Sequence, residues 1–231
     1  MDTNKHDNQK LQSNHPLASN PILGQTLSPN SEPDEWESLN LTLHPKLREA
    51  VKRVVDWYRQ GLGVLLLAGD CGCGKTHLAK VVFDKFGGPA FVLDWDATPV
   101  ESVRNAVFYT EPDLFADIRQ SYGGGKPGQS EGEIVRMCQR TRLLILDDLG
   151  VAHIREESLP WAQDLYWRIL DARADKPTLI TTNLKIDQIP GRIGKRAFSR
   201  LMGGLGSKAG YVDMFGIPDY RLRDWQRGLG Q

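Results

Sequence analysis

The chain has 231 residues, enough for one domain or for one domain with an appendage. Hydrophobic residues make up 40% of it and charged residues 25%, a composition typical of globular proteins that excludes a mostly disordered chain. Lys and Arg together number 29, as do Asp and Glu, so the formal net charge is zero. This balance excludes the strongly basic class of DNA-binding protein, although a local basic patch remains compatible with it.

Three features of the sequence predict a cytoplasmic protein. The longest purely apolar run, residues 64–68, is far shorter than the roughly 20 residues that a membrane-spanning helix needs. The first ten residues are polar, which does not match a signal peptide. Three cysteines are too few for a disulfide framework, and a reducing compartment is the default for such a chain. We therefore expect no contact with a membrane.

The N-terminal segment differs from the rest of the chain. Residues 1–36 are rich in Asn, Ser, Pro and Gln, and their two lysines and five acidic residues leave a net charge of −3. Such a segment buries too little apolar surface to offset its chain entropy. We predict a disordered tail over residues 1–40 and a globular domain over residues 41–231. A short helix near residues 21–27 that orders on a partner is the alternative for the tail.

The globular part alternates between helical and strand patterns. A helix begins at Pro45 and ends at Gly61, and the buried strand Val64–Ala68 leads through a glycine loop into the helix His77–Phe86. Further helical patterns contain Leu114–Tyr122, the segment after a Ser130/Glu133 capping box, and Trp161–Ile169. Further strands are predicted at Ala90–Leu93, Leu143–Leu146, Thr178–Thr181 and Tyr211–Phe215. This alternation predicts an α/β fold with a parallel sheet.

Residues 69–76 form a glycine-rich motif of the kind that binds phosphate groups. Their sequence matches the pattern G-x-x-x-x-G-K-[ST], between a buried strand and an amphipathic helix. The glycines let backbone N–H groups surround phosphate oxygens, and the N-terminal end of the helix adds a positive field. We expect Lys75 to reach the β- and γ-phosphates of ATP and the Thr76 hydroxyl to bind Mg²⁺. The candidate nucleotide-binding residues are Gly69, Asp70, Cys71, Gly72, Cys73, Gly74, Lys75, Thr76 and His77.

An acidic pair, Asp147 and Asp148, follows the apolar strand Leu143–Leu146. In an open α/β sheet, ligands bind at the carboxyl ends of the strands, so these carboxylates are expected beside the phosphates. We expect Asp147 to hold Mg²⁺, directly or through water, and Asp148 to polarise the attacking water. In isolation, the same residues would equally fit a strand followed by an acidic turn.

The C-terminal part adds a polar strand end and a basic run. Thr181, Thr182 and Asn183 end the fourth predicted strand, where they are expected to sense the γ-phosphate or to orient water. Residues 185–231 hold nine Lys and Arg against four acidic residues, a net charge of +5. Most charge runs are solvated faces, but this one follows the predicted phosphate sensor, and its Arg200 is a candidate arginine finger.

Taken together, these segments resemble a known family. From about Leu47 to Arg221, the chain is similar to the AAA+ ATPases of the bacterial replicative helicase loader group (DnaC/DnaI type) and to the related IstB-type transposition helper ATPases. The resemblance rests on residues 69–76, 146–150, 177–184, 199–201 and 219–221, with Trp161, Leu165, Tyr166, Ile169 and Arg173 between them. Two features depart from the family: only about 40 polar residues precede the core, and Asp148 stands where many AAA+ proteins have Glu.

The resemblance implies a P-loop NTPase (AAA+, ASCE class) fold: a three-layer αβα sandwich whose five-stranded parallel sheet has the order 5-1-4-3-2, with little or no C-terminal lid. It also implies roles for three residues. Asn183 matches the sensor-1 position, Arg200 matches the finger that acts on a neighbouring subunit's ATP, and Arg221 matches the late arginine that contacts the nucleotide in its own subunit. We therefore expect an ATPase with Lys75, Asp148, Asn183 and Arg200 as catalytic residues, slow as a monomer.

The function implied by the resemblance is that of an ATP-dependent switch that loads a hexameric DnaB-type replicative helicase onto single-stranded DNA. Such a protein would self-associate with ATP. Arg119, Tyr122 and Lys126 around a glycine loop are weak candidates for gripping the DNA, because a surface loop explains them equally well. The alternative is a transposition helper that binds duplex DNA and a transposase. A small-molecule P-loop kinase and a nucleotide-gated adaptor with negligible hydrolysis also remain open.

Overall fold

The computed structural model describes residues 44–86, 106–123, 130–205 and 210–221. All of them lie in the unit Glu32–Gln231. The predicted tail, residues 1–40, lies outside the described residues and stays a prediction. Among the described helices, none combines the length and the apolar character that crossing a membrane requires.

Seven helices and five strands alternate along the described residues. The helices are α1 (Pro45–Gln60), α2 (Lys75–Phe86), α3 (Glu111–Ser121), α4 (Glu131–Arg140), α5 (Leu159–Asp171), α6 (Ile189–Ile193) and α7 (Lys195–Gly204), and a 3-10 turn, Glu156–Ser158, precedes α5. The strands are β1 (Val64–Ala68), β2 (Ala106–Thr110), β3 (Leu143–Leu149), β4 (Thr178–Thr182) and β5 (Tyr211–Asp213). Local sequence sets many of the ends: Pro45 opens α1, and Gly61 closes it with a left-handed φ of 65°.

The five strands form one parallel sheet in the order β2-β3-β4-β1-β5. This is the predicted order 5-1-4-3-2 read from the other edge, so the expected fold class is confirmed. All five residues of β1 and of β4 are buried, which matches central strands covered on both faces. Because the strands are parallel, their carboxyl ends all lie at one edge of the sheet.

Helices cover both faces of the sheet and complete three layers. Alternate residues of β1 point to opposite faces: Leu65 and Leu67 pack with α1 and α2, whereas Val64 and Leu66 pack with α3–α7. The strand β3 divides its side chains between the same two faces. The hydrophobic core is therefore two apolar layers separated by the sheet, and the loops at the carboxyl edge are left to carry polar groups.

One strand differs from the prediction. The second strand of the sheet is Ala106–Thr110, whereas the sequence pattern favoured Ala90–Leu93, which lies outside the described residues. In the described part of the sheet, β2 lies at the edge and pairs only with β3. Val107 is its one buried residue, and the other four are half-buried. The apolar run Ala106–Tyr109 was not recognised as a strand from the sequence pattern.

Arg173 joins the helical layer to the sheet. This fully buried side chain donates to the hydroxyl of Thr178 at 2.8 Å and to the carbonyls of Cys138 and Thr141 at 2.8 Å and of Pro177 at 2.6 Å. Burial lowers the pKa of Arg173 to about 10. The guanidinium thus occupies the joint between the end of α5, the start of β4 and the loop before β3.

Candidate nucleotide-binding site

The glycine motif forms the loop between β1 and α2 at the carboxyl edge of the sheet. Gly72 and Gly74 have φ values of 71° and 101°, which are left-handed conformations that favour glycine. A Cβ at Gly69 would lie 2.7 Å from the backbone of Met214, so the loop passes close to the segment after β5. Two positive-φ positions and one tight contact explain why this loop needs glycine.

Lys75 lies inside this loop and is almost fully buried. Its ammonium donates to the carbonyls of Gly69 and Asp70, both at 2.8 Å, and lies 3.7 Å from the sulfur of Cys73. The loop thus surrounds a positive charge at the N-terminal end of α2, an arrangement suited to phosphate groups. His77 and Cys71, also predicted at this site, are exposed on its surface.

Thr76 and Asp147 meet across the site. The Thr76 hydroxyl donates to Oδ1 of Asp147 at 3.2 Å, and the Thr181 hydroxyl donates to the same oxygen at 2.6 Å. Burial raises the pKa of Asp147, the nearby Asp148 charge adds to the rise, and the two hydroxyl donors oppose it. A hydroxyl and a carboxylate are oxygen donors of the kind that Mg²⁺ takes from proteins beside phosphate oxygens. The two residues that the sequence assigned to Mg²⁺ are therefore adjacent, and their donor set fits that ion.

Asp148 has a left-handed backbone. Its φ of 57° is the one positive value among the described non-glycine residues. The pairing of β3 with β4 shifts register between Leu146 and Leu149, so the acidic pair forms a bulge near the end of β3. The Asp148 N–H donates to the Thr181 hydroxyl at 2.9 Å. Backbone strain of this kind persists where neighbouring groups hold the residue in place.

At the polar end of β4, two threonines form hydrogen bonds with β3, whereas the Asn183 side chain is available to other groups. Thr181 supports Asp147 and Asp148, and the Thr182 hydroxyl donates to the Leu149 carbonyl at 2.7 Å. Both threonines therefore hold β3, whereas the sequence predicted that they would sense phosphate. The Oδ1 atom of Asn183 is buried and has no hydrogen-bond partner within the described residues. A buried acceptor of this kind is available to bind a ligand or a water molecule.

The segment Asp219–Arg221 lies against the phosphate loop. The Tyr220 N–H donates to the Gly72 carbonyl at 3.1 Å, and the Asp219 carboxylate fills the space where a Gly72 side chain would lie. Arg221 pairs with Asp219, Nε to Oδ1, at 3.3 Å, and its side chain is 70% exposed. Hydrogen bonding and charge from Asp219 raise the pKa of Arg221, with smaller contributions from Cys71 and Asp148. Arg221 is thus beside the loop, as its predicted role requires.

Arg200 lies elsewhere. It projects from α7 with 56% of its side chain exposed, and its Nε lies 2.6 Å from Oδ1 of Asp171 on α5. One turn later, Gly204 packs against Val64, the first residue of β1, whereas the phosphate loop follows the last residue of that strand. The structure therefore does not bring Arg200 to the phosphate loop of its own chain.

Several solved structures are similar to this chain in fold. The DnaC helicase loader matches with a TM-score of 0.54 and 19% identity over 78% of this chain and 98% of that chain. AMPPCP-bound DnaA from Aquifex aeolicus matches with a TM-score of 0.53 and 17% identity over 81% of this chain, which spans about half, 52%, of that chain. Domain III of Thermotoga maritima DnaA matches with a TM-score of 0.52 and 16% identity over 79% and 67% of the two chains.

The chain has the fold of the AAA+ ATPases. At these identities, the likeness concerns the fold. No protein-family model matches the sequence, and no curated protein matches it either. In this AAA+ fold, the residues predicted for nucleotide contact, apart from Arg200, occupy the carboxyl edge of β1, β3 and β4 and the segment after β5.

One buried residue near the site, Glu111, was not predicted from the sequence. This carboxylate is buried at the start of α3 and accepts hydrogen bonds from Arg192, from the Tyr166 hydroxyl and from the backbone of the loop after β3. Arg192 had been counted in the basic run of residues 185–231, but only 14% of its side chain is exposed. Thr-Glu-Pro-Asp is an ordinary helix start, so no signal in the sequence distinguished Glu111.

Proposed function

We propose that the protein is an ATP-binding and ATP-hydrolysing switch that loads a hexameric DnaB-type replicative helicase onto single-stranded DNA in the cytoplasm. The observation that carries the proposal is the meeting of Lys75, the Thr76–Asp147 pair and the unpaired Asn183 oxygen at the carboxyl edge of one AAA+ sheet. Lys75 and Thr76 belong to the glycine motif after β1, whereas Asp147 lies in β3 and Asn183 follows β4, so this convergence does not follow from the glycine motif alone.

The proposed chemistry assigns one task to each group. Lys75 and the loop N–H groups bind the phosphates, while Thr76 and Asp147 hold Mg²⁺, which when bound neutralises charge on the β- and γ-phosphates. Asp148 accepts a proton from the attacking water, and Asn183 orients that water. Arg221 contacts the nucleotide of its own subunit. Hydrolysis is slow in the monomer because an arginine supplied in trans, here Arg200, contributes roughly 10³–10⁵ in rate.

We infer the helicase partner from the share of each solved chain that the match covers. The match to the DnaC helicase loader covers nearly all of that chain, whereas the match to Aquifex DnaA covers about half of that chain. A loader with this fold would assemble on helicase and single-stranded DNA with ATP and would leave after hydrolysis. The zero net charge weakly disfavours a duplex-coating role, whose affinity depends mainly on phosphate contacts.

A pull-down of the full chain with the hexameric replicative helicase of the same organism tests the proposal, with ATP and with ADP. We expect binding that depends on which nucleotide is present. Lys75→Ala should remove that dependence, because the loop loses its phosphate-binding charge. Lys80→Ala is the matched control, since Lys80 is an exposed lysine of the same helix.

No binding to the helicase with either nucleotide would overturn the loader function. The same experiment with duplex DNA and a transposase would then test the transposition-helper alternative.

A further inference from the structure

The carboxylate of Glu111 accepts five hydrogen bonds from three other parts of the fold. Oε2 accepts from the backbone N–H groups of Gly150 at 3.0 Å and Ala152 at 2.7 Å, and from Nη2 of Arg192 at 2.5 Å. Oε1 accepts from Nε of Arg192 at 2.9 Å and from the Tyr166 hydroxyl. We call these five residues the Glu111 cluster. Only 3% of the Glu111 side chain is exposed.

The Glu111 cluster holds the turn that contains Asp148. The N–H of Val151 donates to the carbonyl of Asp148 at 3.1 Å, which closes a turn with left-handed residues at Asp148 and Gly150. The N–H of Asp148 is bound by Thr181, so this end of the turn is held by β4. The other end is held by Glu111 through two backbone N–H groups. A left-handed aspartate is thus fixed from two sides.

We propose that Glu111 is a positioning residue for ATP hydrolysis, which fixes the backbone of Asp148 and thereby the direction of its carboxylate toward the attacking water. This inference rests on the proposed ATPase function, because it assigns Asp148 to the water. Glu111 itself contacts neither the phosphate loop residues nor Asp147 through any hydrogen bond of the described residues.

Arg192 and Tyr166 compensate for the burial of the Glu111 carboxylate. Arg192 pairs with both oxygens and also donates to the Ala152 carbonyl at 2.6 Å, so the Glu111 charge is balanced and the loop is held by both partners. Burial and the Glu111 charge raise the pKa of Tyr166 well above its usual value, so its hydroxyl stays a donor. Arg192 belongs to α6, which ends at Ile193. Only Gly194 separates this helix from α7, which begins at Lys195.

The test compares Glu111 variants by single-turnover hydrolysis and by ATP binding. Glu111→Gln replaces one acceptor oxygen with an NH₂ group that faces N–H donors, so the turn loses its anchor. We expect kcat to fall at least 10-fold while the Kd for ATP stays within about twofold. Glu111→Asp is a second variant that keeps the proposal testable if Glu111→Gln does not fold. It keeps the charge but withdraws the carboxylate by one methylene, so it cannot reach Arg192 and the turn together.

Glu131→Gln is the matched control. Its carboxylate accepts from Arg168 at 2.6 Å and from the Trp161 indole at 3.2 Å, so it also joins two helices through an ion pair. It makes no hydrogen bond to residues 147–152. We expect Glu131→Gln to lower thermal stability without lowering kcat.

Hydrogen exchange supplies a readout that does not depend on activity. The amides of Gly150 and Ala152 should exchange at least 10-fold faster in Glu111→Gln than in the wild type or in Glu131→Gln. Wild-type kcat in both folded Glu111 variants would overturn the proposal. A wild-type protein that binds ATP without hydrolysing it would overturn the proposed hydrolysis instead. Unchanged exchange at both amides would, in either case, show that Glu111 does not hold the turn.

Discussion

Thr181 supports both residues of the acidic bulge with a single hydroxyl group. Its O–H donates to Asp147 at 2.6 Å, and its oxygen accepts the N–H of Asp148 at 2.9 Å. The side chain is fully buried, so water cannot replace either hydrogen bond. One threonine on β4 therefore sets both the carboxylate assigned to Mg²⁺ and the backbone of the residue assigned to the attacking water.

Thr181→Val should impair both stability and turnover. The change leaves the N–H of Asp148 without an acceptor and removes one of the two hydroxyl donors to Oδ1 of Asp147, and a buried group that loses its partner costs roughly 1–3 kcal/mol. We expect a comparable loss in the free energy of unfolding, measured by urea denaturation, and a fall in ATP turnover of about 10-fold, the equivalent of about 1.4 kcal/mol in the barrier.

Thr178→Val provides the comparison for this prediction. Thr178 is equally buried on the same strand and also makes two hydrogen bonds, with Arg173 and with the Lys176 carbonyl, but it lies at the opposite end of β4. Thr178→Val should lower the free energy of unfolding without lowering ATP turnover per folded molecule. Equal losses of turnover in the two variants would contradict a specific role for Thr181.

At the scale of single residues, the sequence predicts those parts of the site that a short contiguous motif determines. The phosphate loop between β1 and α2 is recognisable because eight consecutive residues impose its geometry. The Glu111 cluster is not, since Tyr166 and Arg192 are 55 and 81 positions away from Glu111 and each is unremarkable in its own segment. The different roles of Thr181, Thr182 and Asn183 at the end of β4 also depend on the bulge in β3, which no local sequence pattern predicts.

Among the helices, α4 has the start that is best defined by its own sequence. The Ser130 hydroxyl accepts the N–H of Glu133, while the Glu133 carboxylate accepts the N–H of Ser130 at 2.8 Å, as the predicted capping box requires. The same helix begins with Glu131, which binds Arg168 and Trp161 of α5. The cap therefore sets the position from which α4 contacts its neighbour.

Ser130→Ala should destabilise the protein by roughly 0.5–2 kcal/mol, the usual cost of losing an N-cap side chain. Ser121→Ala is the control, because the Ser121 hydroxyl only bonds the Ile118 carbonyl within the last turn of α3. Thermal and urea unfolding of the two variants measure the difference. A loss in Ser130→Ala no larger than in Ser121→Ala would contradict the cap.

The effect of the cap should also depend on pH. Hydrogen bonds from Ser130 lower the pKa of Glu133, so the ionised cap stabilises the fold above pH 4.5, the ordinary value, and that contribution disappears as the pH falls through the lowered pKa. The stability difference between wild type and Ser130→Ala should therefore shrink at low pH. A difference that stays constant would exclude the carboxylate from the cap.

The elements themselves were predictable to different degrees. The helix α1 begins and ends where the sequence indicates, and α4 begins at its predicted capping box. β1 and β3 are also recognisable as continuous apolar runs, which central parallel strands typically are, and β4 is rich in β-branched residues. β2 was not predicted, although Ala106–Tyr109 is an apolar run, because its place in the sheet depends on pairing with β3, a contact that forms between distant segments.

For the molecule as a whole, the separation of Arg200 from its own phosphate loop predicts catalysis between subunits. Arg200→Ala has an intact loop without the finger, and Lys75→Ala has the finger without an intact loop. Each should hydrolyse ATP slowly when alone, and their mixture should regain activity, because one subunit supplies the arginine and the other the nucleotide. Steady-state ATPase measurements over a range of mixing ratios check this.

Arg196→Ala serves as the control for that mixture. Arg196 lies one turn before Arg200 on α7, with its guanidinium 4.0 Å from the centre of the Trp167 ring. This variant should keep its activity without a partner. Loss of activity in Arg196→Ala, together with normal activity in Arg200→Ala, would assign the finger to Arg196 instead.

The order of the strands also affects how the chain folds during synthesis. β1 pairs with Thr178–Thr182 and Tyr211–Asp213, both of which leave the ribosome long after it. At 5–20 residues per second, the roughly 110 residues that separate β1 from β4 take about 5–20 s to translate. The five apolar residues of β1 lack both of their strand partners over that time. The phosphate loop likewise gains the packing of Gly69 against Met214, which follows β5, only after the last strand has been synthesised.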